Sequence, residues 1–297
     1  MAGHDIAYVE LYAKDKQRAA QHLVTTLGFA CVADSVAPDR SSLLLQQGAV
    51  RLVVTSGPAT WKFLDEHGAG IADIALSCTD VTATAERALR AGARGAGRVR
   101  GNPILSGAGG VTHTLLPAAR TPRGWPGGHR WVGLPLCPGC DENVRQLNGV
   151  AIGLGGVRLE DCVRLYQEGF GLLPRRTERA GEPGSPHVRT ELSGLQGGTT
   201  LSLVADGHGA TQQLSLMVRD ITHAARELRA EGVELAGRTP DDVRGGQQGR
   251  LRLDGRSPHL GDRLSIELVQ RSGPGGLGPG DLQALHATAD QHRLATG

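Results

Sequence analysis

Apolar positions along this 297-residue chain follow one succession of rhythms, and the whole succession occurs twice. Residues 67–94 (HGAGIADIALSCTDVTATAERALRAGAR) hold a short apolar strand, then Asp80, then an Ala/Leu/Arg-rich helix that runs out near Gly92. Residues 208–235 (HGATQQLSLMVRDITHAARELRAEGVEL) repeat it with Asp220 and Gly232. An Asp before a helix satisfies free N–H groups of the first turn, and a Gly after it admits the left-handed stop. The likeness extends outward. Ser42–Thr55 (SLLLQQGAVRLVVT) predicts a hairpin around Gly48, and Val188–Val204 (VRTELSGLQGGTTLSLV) predicts one around Gly197-Gly198. A strand and a helix precede Leu27-Gly28-Phe29 in one half and Phe170-Gly171-Leu172 in the other. Each half therefore reads β–α–β–β–β–α–β–β, with the copies about 140 residues apart. Agreement of hairpin, strand, Asp cap and helix in one order sets this apart from chance likeness between Ala/Arg-rich helices.

Between the copies, Pro117 to Gln146 contains five prolines and several glycines and reads as a linker. The expected organisation is residues 1–116, a linker at 117–146, and 147–297 carrying the ligand cavity and a C-terminal helix.

Composition narrows the functions. A net charge of +2, with 29 Arg and 3 Lys dispersed among 30 acids, offers no broad attraction to nucleic acid or an anionic membrane. No apolar run is long enough to span a bilayer, and charges occupy the N-terminal stretch where a signal peptide needs apolar residues. Of the five cysteines, Cys31, Cys78 and Cys162 lie in or beside apolar runs and read as core thiols, which suits a reducing cytoplasm. Cys137-Pro-Gly-Cys140 is a single CxxC with His129 as its one nearby partner, too few ligands for structural zinc. Aromatic residues make up only 3%, so a pocket has few rings with which to stack a flat ligand.

Five segments carry a family likeness in order along nearly the whole chain. They are Ile6-Ala-Tyr-Val-Glu-Leu-Tyr12, His67-Gly-Ala-Gly-Ile-Ala-Asp-Ile-Ala-Leu76, Gly110-Val-Thr-His-Thr-Leu-Leu116, Ile266-Glu-Leu-Val-Gln-Arg271 and Gly275-Gly-Leu-Gly-Pro-Gly-Asp-Leu-Gln-Ala-Leu285. The chain resembles the vicinal oxygen chelate superfamily, and within it the 4-hydroxyphenylpyruvate dioxygenase and hydroxymandelate synthase branch. The resemblance implies an α+β fold of tandem βαβββ modules, two homologous halves each with a curved mixed sheet around a cavity. It also implies an Fe(II) site in the second half, built from two His and one Glu with open positions for a keto acid and O₂. The matching positions here are Gly149, Gln213 and Glu267. Glycine offers no donor and an amide oxygen is a weak iron ligand, so the expected iron site is degenerate, with no metal and no cofactor. His187, His208 or His259 would restore a site only in a rebuilt cavity. The family's two ring-clamping Phe positions fall in Arg252-Leu253-Asp254 and Gly276-Leu277-Gly278, where Leu277 offers apolar contact but no stacking. The segment between Leu235 and Glu267 is also shorter than the family usually carries.

Without a cation, a carboxylate in a closing cavity becomes a stronger base, which suits proton abstraction near neutral pH. Glu267 is the candidate base and Gln213 an orienting amide, against readings of both as inert remnants. Ser202, Val188, Gln212, Ser215 and Leu277 complete the candidate substrate contacts. Alternation in Pro186–Leu192 separates His187, Arg189 and Glu191 from Val188, Thr190 and Leu192. The family register turns Val188 and Thr190 toward the cavity, which leaves Arg189, a side chain suited to a carboxylate or phosphate, outside the main set. In the first half Tyr8, Asp73 and Thr114 match Gly149, Gln213 and Glu267; they are a second polar pocket or a buried Tyr–Asp hydrogen bond. His67 reads as structural.

Three functions follow. The first is a metal-independent isomerase, cyclase or lyase of specialised, antibiotic-type biosynthesis with Glu267 as base. The second is a non-catalytic small-molecule binder, as in antibiotic resistance. The third is a divergent Fe(II) dioxygenase, which the missing His pair disfavours. The partners expected are a small molecule and, for assembly, a second copy in a homodimer, with no nucleic acid and no membrane.

Overall fold

A computed structural model of the protein describes residues 4–118, 125–135, 143–180, 187–195, 198–205, 211–238, 249–253 and 260–270. In the first half, β1 (Asp5–Tyr12) leads through α1 (Lys16–Leu27) to β2 (Ala30–Val36), β3 (Ser41–Gln47) and β4 (Val50–Ser56). A short helix α2 (Trp61–His67) precedes β5 (Gly70–Cys78), α3 (Val81–Arg90), β6 (Gly95–Val99), β7 (Asn102–Ser106) and β8 (Thr112–Pro117). A two-residue strand, β9 (Val132–Gly133), pairs with β2. The second half repeats the pattern with β10 (Val144–Gly153), α4 (Leu159–Arg164), β11 (Leu173–Ala180), β12 (His187–Ser193) and β13 (Thr200–Ala205). It continues with β14 (Gln212–Val218), α5 (Ile221–Ala230), β15 (Leu235–Arg238), β16 (Gly249–Leu253) and β17 (Leu264–Gln270).

The architecture is the expected pair of tandem βαβββ halves. Each half has two more strands than the apolar rhythm announces. Ala30–Val36 (ACVADSV) and its counterpart Leu173–Ala180 mix polar and apolar residues without clean alternation, and Gly95–Val99 is a mostly exposed edge strand with no apolar face to reveal it. The linker likewise holds structure, since β9 docks on the first sheet and β10 begins at Val144.

Two mixed sheets result, ordered β6-β7-β8-β5-β1-β4-β3-β2-β9 and β11-β12-β13-β10-β14-β17-β16-β15. The halves pair in the same register. Tyr8 lies opposite Ala75 and Gly149 opposite Ser215; Glu10 lies opposite Asp73 and Ala151 opposite Gln213. The Asp caps act as the sequence predicts: Asp80 accepts from the Ala83 N–H and Asp220 from the His223 N–H, both at 2.9 Å. Gly92 and Gly232 follow with positive φ.

Alternation gives every strand a helix-facing side and an inner side. Val9, Leu11, Leu52, Ile74 and Leu76 in the first half, and Val150, Ile152, Leu203, Leu214 and Leu216 in the second, merge into one main core beneath the helices. Tyr8, Ala33, Leu44, Val53, Ala75 and Leu116 form a separate small core on the inner side of the first sheet, with Trp125 and Trp131 packed on it.

The halves are stitched by polar contacts made inside apolar surroundings. The Gln212 amide bonds both ways to the Ile71 backbone, accepting at 2.6 Å and donating at 2.7 Å. His113, fully buried, donates from Nδ1 to the Ile74 carbonyl at 3.0 Å and accepts the Tyr166 hydroxyl on Nε2 at 2.8 Å. Burial pulls its pKa down to about 4, so the ring is neutral and one nitrogen must accept. A π-helical turn at Leu165–Gly169 presents Tyr166 to it.

Candidate functional site

The inner face of the second sheet is polar and sparsely furnished. Its central strand β10 turns Gly149, Ala151 and Gly153 inward, so little side chain stands between Ser202 on one neighbouring strand and Gln213 on the other. Glu267 follows across β14, opposite Ser215. Ser215 donates its hydroxyl to Glu267 Oε2 at 2.6 Å and accepts from the Asn148 amide at 2.9 Å. Glu267 itself is half-buried. Gln213 is 5% exposed and has no hydrogen-bond partner among the described residues. A buried amide without a partner is costly, so a group that meets it from the open side of the sheet is favoured there.

Glu267, Gln213, Ser215 and Ser202 thus share one face. Gln212 and Val188 do not join them. Gln212 points the other way and its amide is taken up by Ile71. Val188 pairs with Ala205, and its strand sends Thr190 and Leu192 to the side of Leu201 and Leu203. The residues that the alternation of β12 turns toward Ser202 are Arg189 and Glu191. Arg189, 7% exposed, donates to the Ser202 hydroxyl at 3.0 Å and leaves its buried Nε without a partner. Burial raises Glu191, with Arg189 beside it pulling the other way. The family register therefore has to be reversed at β12. His187 opens that strand, half-buried and away from Glu267 in register. Leu277, His208, His259 and the cysteines at 137 and 140 lie outside the described residues. Asn148 was not legible beforehand, because a register irregularity between Leu147 and Gly149 breaks the alternation there.

The positions that the resemblance assigns to iron ligands, Gly149, Gln213 and Glu267, do not fit iron. A Cβ at Gly149 would lie 2.7 Å from the Thr200 hydroxyl and 2.9 Å from its carbonyl oxygen, so the position has no room for an imidazole without moving backbone. Gln213 brings an amide where a charged or imidazole ligand is required, and no three His, Cys, Asp or Glu side chains converge among the described residues.

The equivalent face of the first half is crowded. Here β1 turns Tyr8, Glu10 and Tyr12 inward. Glu10 (4% exposed) accepts the Thr55 hydroxyl at 2.6 Å, and Asp73 (3% exposed) accepts the Thr112 hydroxyl at 2.6 Å and the Thr114 N–H at 3.3 Å. Tyr8 bonds to Thr114 rather than to Asp73, so Thr114 bridges the two. Burial and the neighbouring Glu10 charge push Asp73 up to about 7, and burial raises Glu10. Glu10 is the residue the sequence reading missed. Its signal was a lone acid between Val9 and Leu11 in an otherwise apolar strand. His67 sits at the end of α2 with its carbonyl accepting from Arg263, a structural position. An open groove of about 1180 Å³ lies at the junction of the halves, beside the Gly107–Gly110 turn.

No family model matches the chain. Among solved structures it is similar to a triply substituted mutant of 4-hydroxymandelate synthase from Streptomyces coelicolor, with 27% identity, a TM-score of 0.81, and 99% of this chain and 100% of that one covered. It is also similar in fold to a xylose isomerase-like TIM barrel/4-hydroxyphenylpyruvate dioxygenase fusion protein, at 18% identity and a TM-score of 0.74, over 98% of this chain and 53% of the fusion. No helix among the described residues is long and apolar enough to cross a membrane. By fold, and at 27% identity along almost its full length, the chain is similar to a 4-hydroxymandelate synthase, and by fold alone to a 4-hydroxyphenylpyruvate dioxygenase fusion.

Proposed function

We propose that the chain is a metal-independent enzyme of small-molecule metabolism in which Glu267 removes a proton from the substrate and Gln213 orients it. The relationship to 4-hydroxymandelate synthase supports a related enzymatic or ligand-binding role at the coarser level. What carries the finer reading is the hydrogen-bonded line Asn148–Ser215–Glu267 on an inner face whose former metal position, Gly149, has no room for a ligand side chain. The line fixes the carboxylate in one orientation, as a general base needs. The unpartnered Gln213 amide, one strand away, is suited to a carbonyl or hydroxyl of the substrate. Isomerisation, cyclisation or elimination of a small acidic metabolite follows from proton abstraction at such a site.

Glu267→Gln preserves shape and removes the base. Turnover of the physiological substrate falls at least a thousandfold while ligand affinity stays within a few-fold, on the order of a lost general base. Loss of affinity together with turnover would refute the base role. Full retention of ligand binding in a protein that never turns ligand over favours the binding-protein reading. Stoichiometric iron in protein purified without chelator, seated beside Glu267, would return the chain to the dioxygenases.

A further inference from the structure

One end of the second half's inner face holds a buried cation with unused donors. Arg189 is 7% exposed, and only Nη2 of its guanidinium has a described partner, the Ser202 hydroxyl at 3.0 Å. Its Nε is buried and unpartnered. Acids stand near it, yet Arg189 forms no ion pair among the described residues. Glu178, its register partner on β11, is taken by Arg176 at 2.7 Å. Glu191, two residues along the same face, feels the Arg189 charge, but no hydrogen bond joins the two and burial raises its carboxyl. Ser202, 1% exposed, accepts from Arg189, and its own proton has no acceptor among the described residues.

The strand register sets what lies between this corner and Gln213. Ser202 and Gln213 flank Ala151, one on each neighbouring strand. They are therefore about 10 Å apart, two strand spacings. Only the Ala151 methyl stands between them, with Gly149 and Gly153 at the next inward positions of β10. Donors without an acceptor sit at one end of this gap and an amide without a partner at the other, and Arg189, Ser202 and Gln213 are each more than nine-tenths buried. An underpaired buried guanidinium is costly, and a carboxylate offsets that cost well because its two oxygens match the planar fork. A hydrogen bond of about 2.9 Å at each end leaves about 4–5 Å between the two polar ends of whatever spans the gap.

We propose that Arg189, set in place by Ser202, anchors the carboxylate of the ligand, and that this ligand is an oxo acid whose carbonyl lies two or three carbons from the carboxylate, over Ala151 and against Gln213. The proposal rests on the reading of this face as the ligand site, but it does not require that Glu267 act as base. It gives the acid group and the reacting carbon opposite ends of the face. A carbonyl that accepts from the Gln213 amide acidifies the C–H groups beside it, and Glu267 stands one strand further on, on the side away from Arg189.

The test is a ligand-observed NMR titration of the full-length protein with sodium levulinate, whose carbonyl and carboxylate are two carbons apart. Levulinamide, the isomer α-oxovalerate with its two groups adjacent, and inorganic phosphate are titrated alongside. Levulinate is expected to bind saturably and both levulinamide and α-oxovalerate about tenfold more weakly, the size of one lost charge-assisted hydrogen bond. Arg189→Gln weakens levulinate about tenfold or more and leaves levulinamide unchanged, and Arg189→Lys, which keeps the charge without the fork, restores part of the loss. Circular dichroism melts establish that each variant is folded. Should Arg189→Gln not fold, Ser202→Ala decides, by weakening the acid and not the amide. Levulinate binding kept in Glu267→Gln and lost in Arg189→Gln supports the anchor even where Glu267 proves inert in turnover. Levulinate binding unchanged in Arg189→Gln overturns the anchor and leaves the base role of Glu267 to its own test. Equal affinity for the amide, preference for phosphate or α-oxovalerate, or no saturable binding of levulinate also overturns the proposal.

Discussion

On the central strand of the first half the inner face carries Tyr8, Glu10 and Tyr12; at the equivalent positions of the second half stand Gly149, Ala151 and Gly153. Topology, register and Asp caps are the same. What differs is side-chain volume on one strand. In the first half Tyr8, together with Trp125 and Trp131 from the segment that follows, closes the face into a small core of its own. In the second half the strand is bare, and the polar groups beside it, Gln213 and Arg189, are left with unmet hydrogen-bonding capacity. One backbone plan thus yields a packed face with buried acids and an open face with an oriented carboxylate. A duplicated fold leaves chemistry to be decided by a few inward positions.

That contrast can be broken at its most heavily packed point. Tyr8→Ala empties the first half's small core and is expected to destabilise the protein by about 3–5 kcal/mol, measured by urea unfolding. A cost below about 1 kcal/mol would mean that the face is not a packed core. The reverse change tests the other half. Gly149→Ala brings a Cβ against the Thr200 carbonyl and is expected to cost about 1–3 kcal/mol. A neutral Gly149→Ala would show that the strand can yield and that the position has room for a side chain.

A third test uses pH. Asp73 binds its proton more tightly folded, at about 7, than unfolded, near the ordinary aspartate value of 3.8. Its ionisation therefore works against folding, and its contribution to stability falls as pH rises from about 4 to 7. Asp73→Asn should stabilise the protein at pH 8, with the advantage over wild type shrinking as pH is lowered toward 4. A difference that stays constant with pH contradicts the raised value. The smallest effect separates the two sides of β12. Val188→Ala should cost about 1 kcal/mol or less and leave ligand affinity unchanged, while Ser202→Ala on the opposite side weakens it. Equal effects on affinity would contradict the register that places Arg189 and Glu191 with Ser202.

Most of the framework was legible in the sequence because it is written in local rules. The repeat, the hairpin at Gly48, the caps at Asp80 and Asp220 and the Gly stops depend on residues a few positions apart, and the structure has them where the pattern puts them. The weakly patterned strands Ala30–Val36 and Gly95–Val99 were not legible, because pairing rather than apolar alternation holds them in the sheet. The candidate site was legible in part. Glu267, Gln213, Ser215 and Ser202 share a face because each lies in a strand with clean alternation. Val188 and Gln212 were misplaced for a physical reason: which side of a period-2 strand faces inward depends on what the strand packs against, and a one-residue choice turns over the whole set.

The sequence by itself determined the two-fold βαβββ plan, the positions of the caps and turns, and the absence of a donor at Gly149. Only the tertiary structure decided that Gly149 lies too close to Thr200 for any side chain, that Ser215 links Asn148 to Glu267, and that Glu10 stands beside Asp73. Those are contacts between residues tens of positions apart. Their energies come from burial and from pairing across strands, and no local pattern encodes either until the sheets have closed.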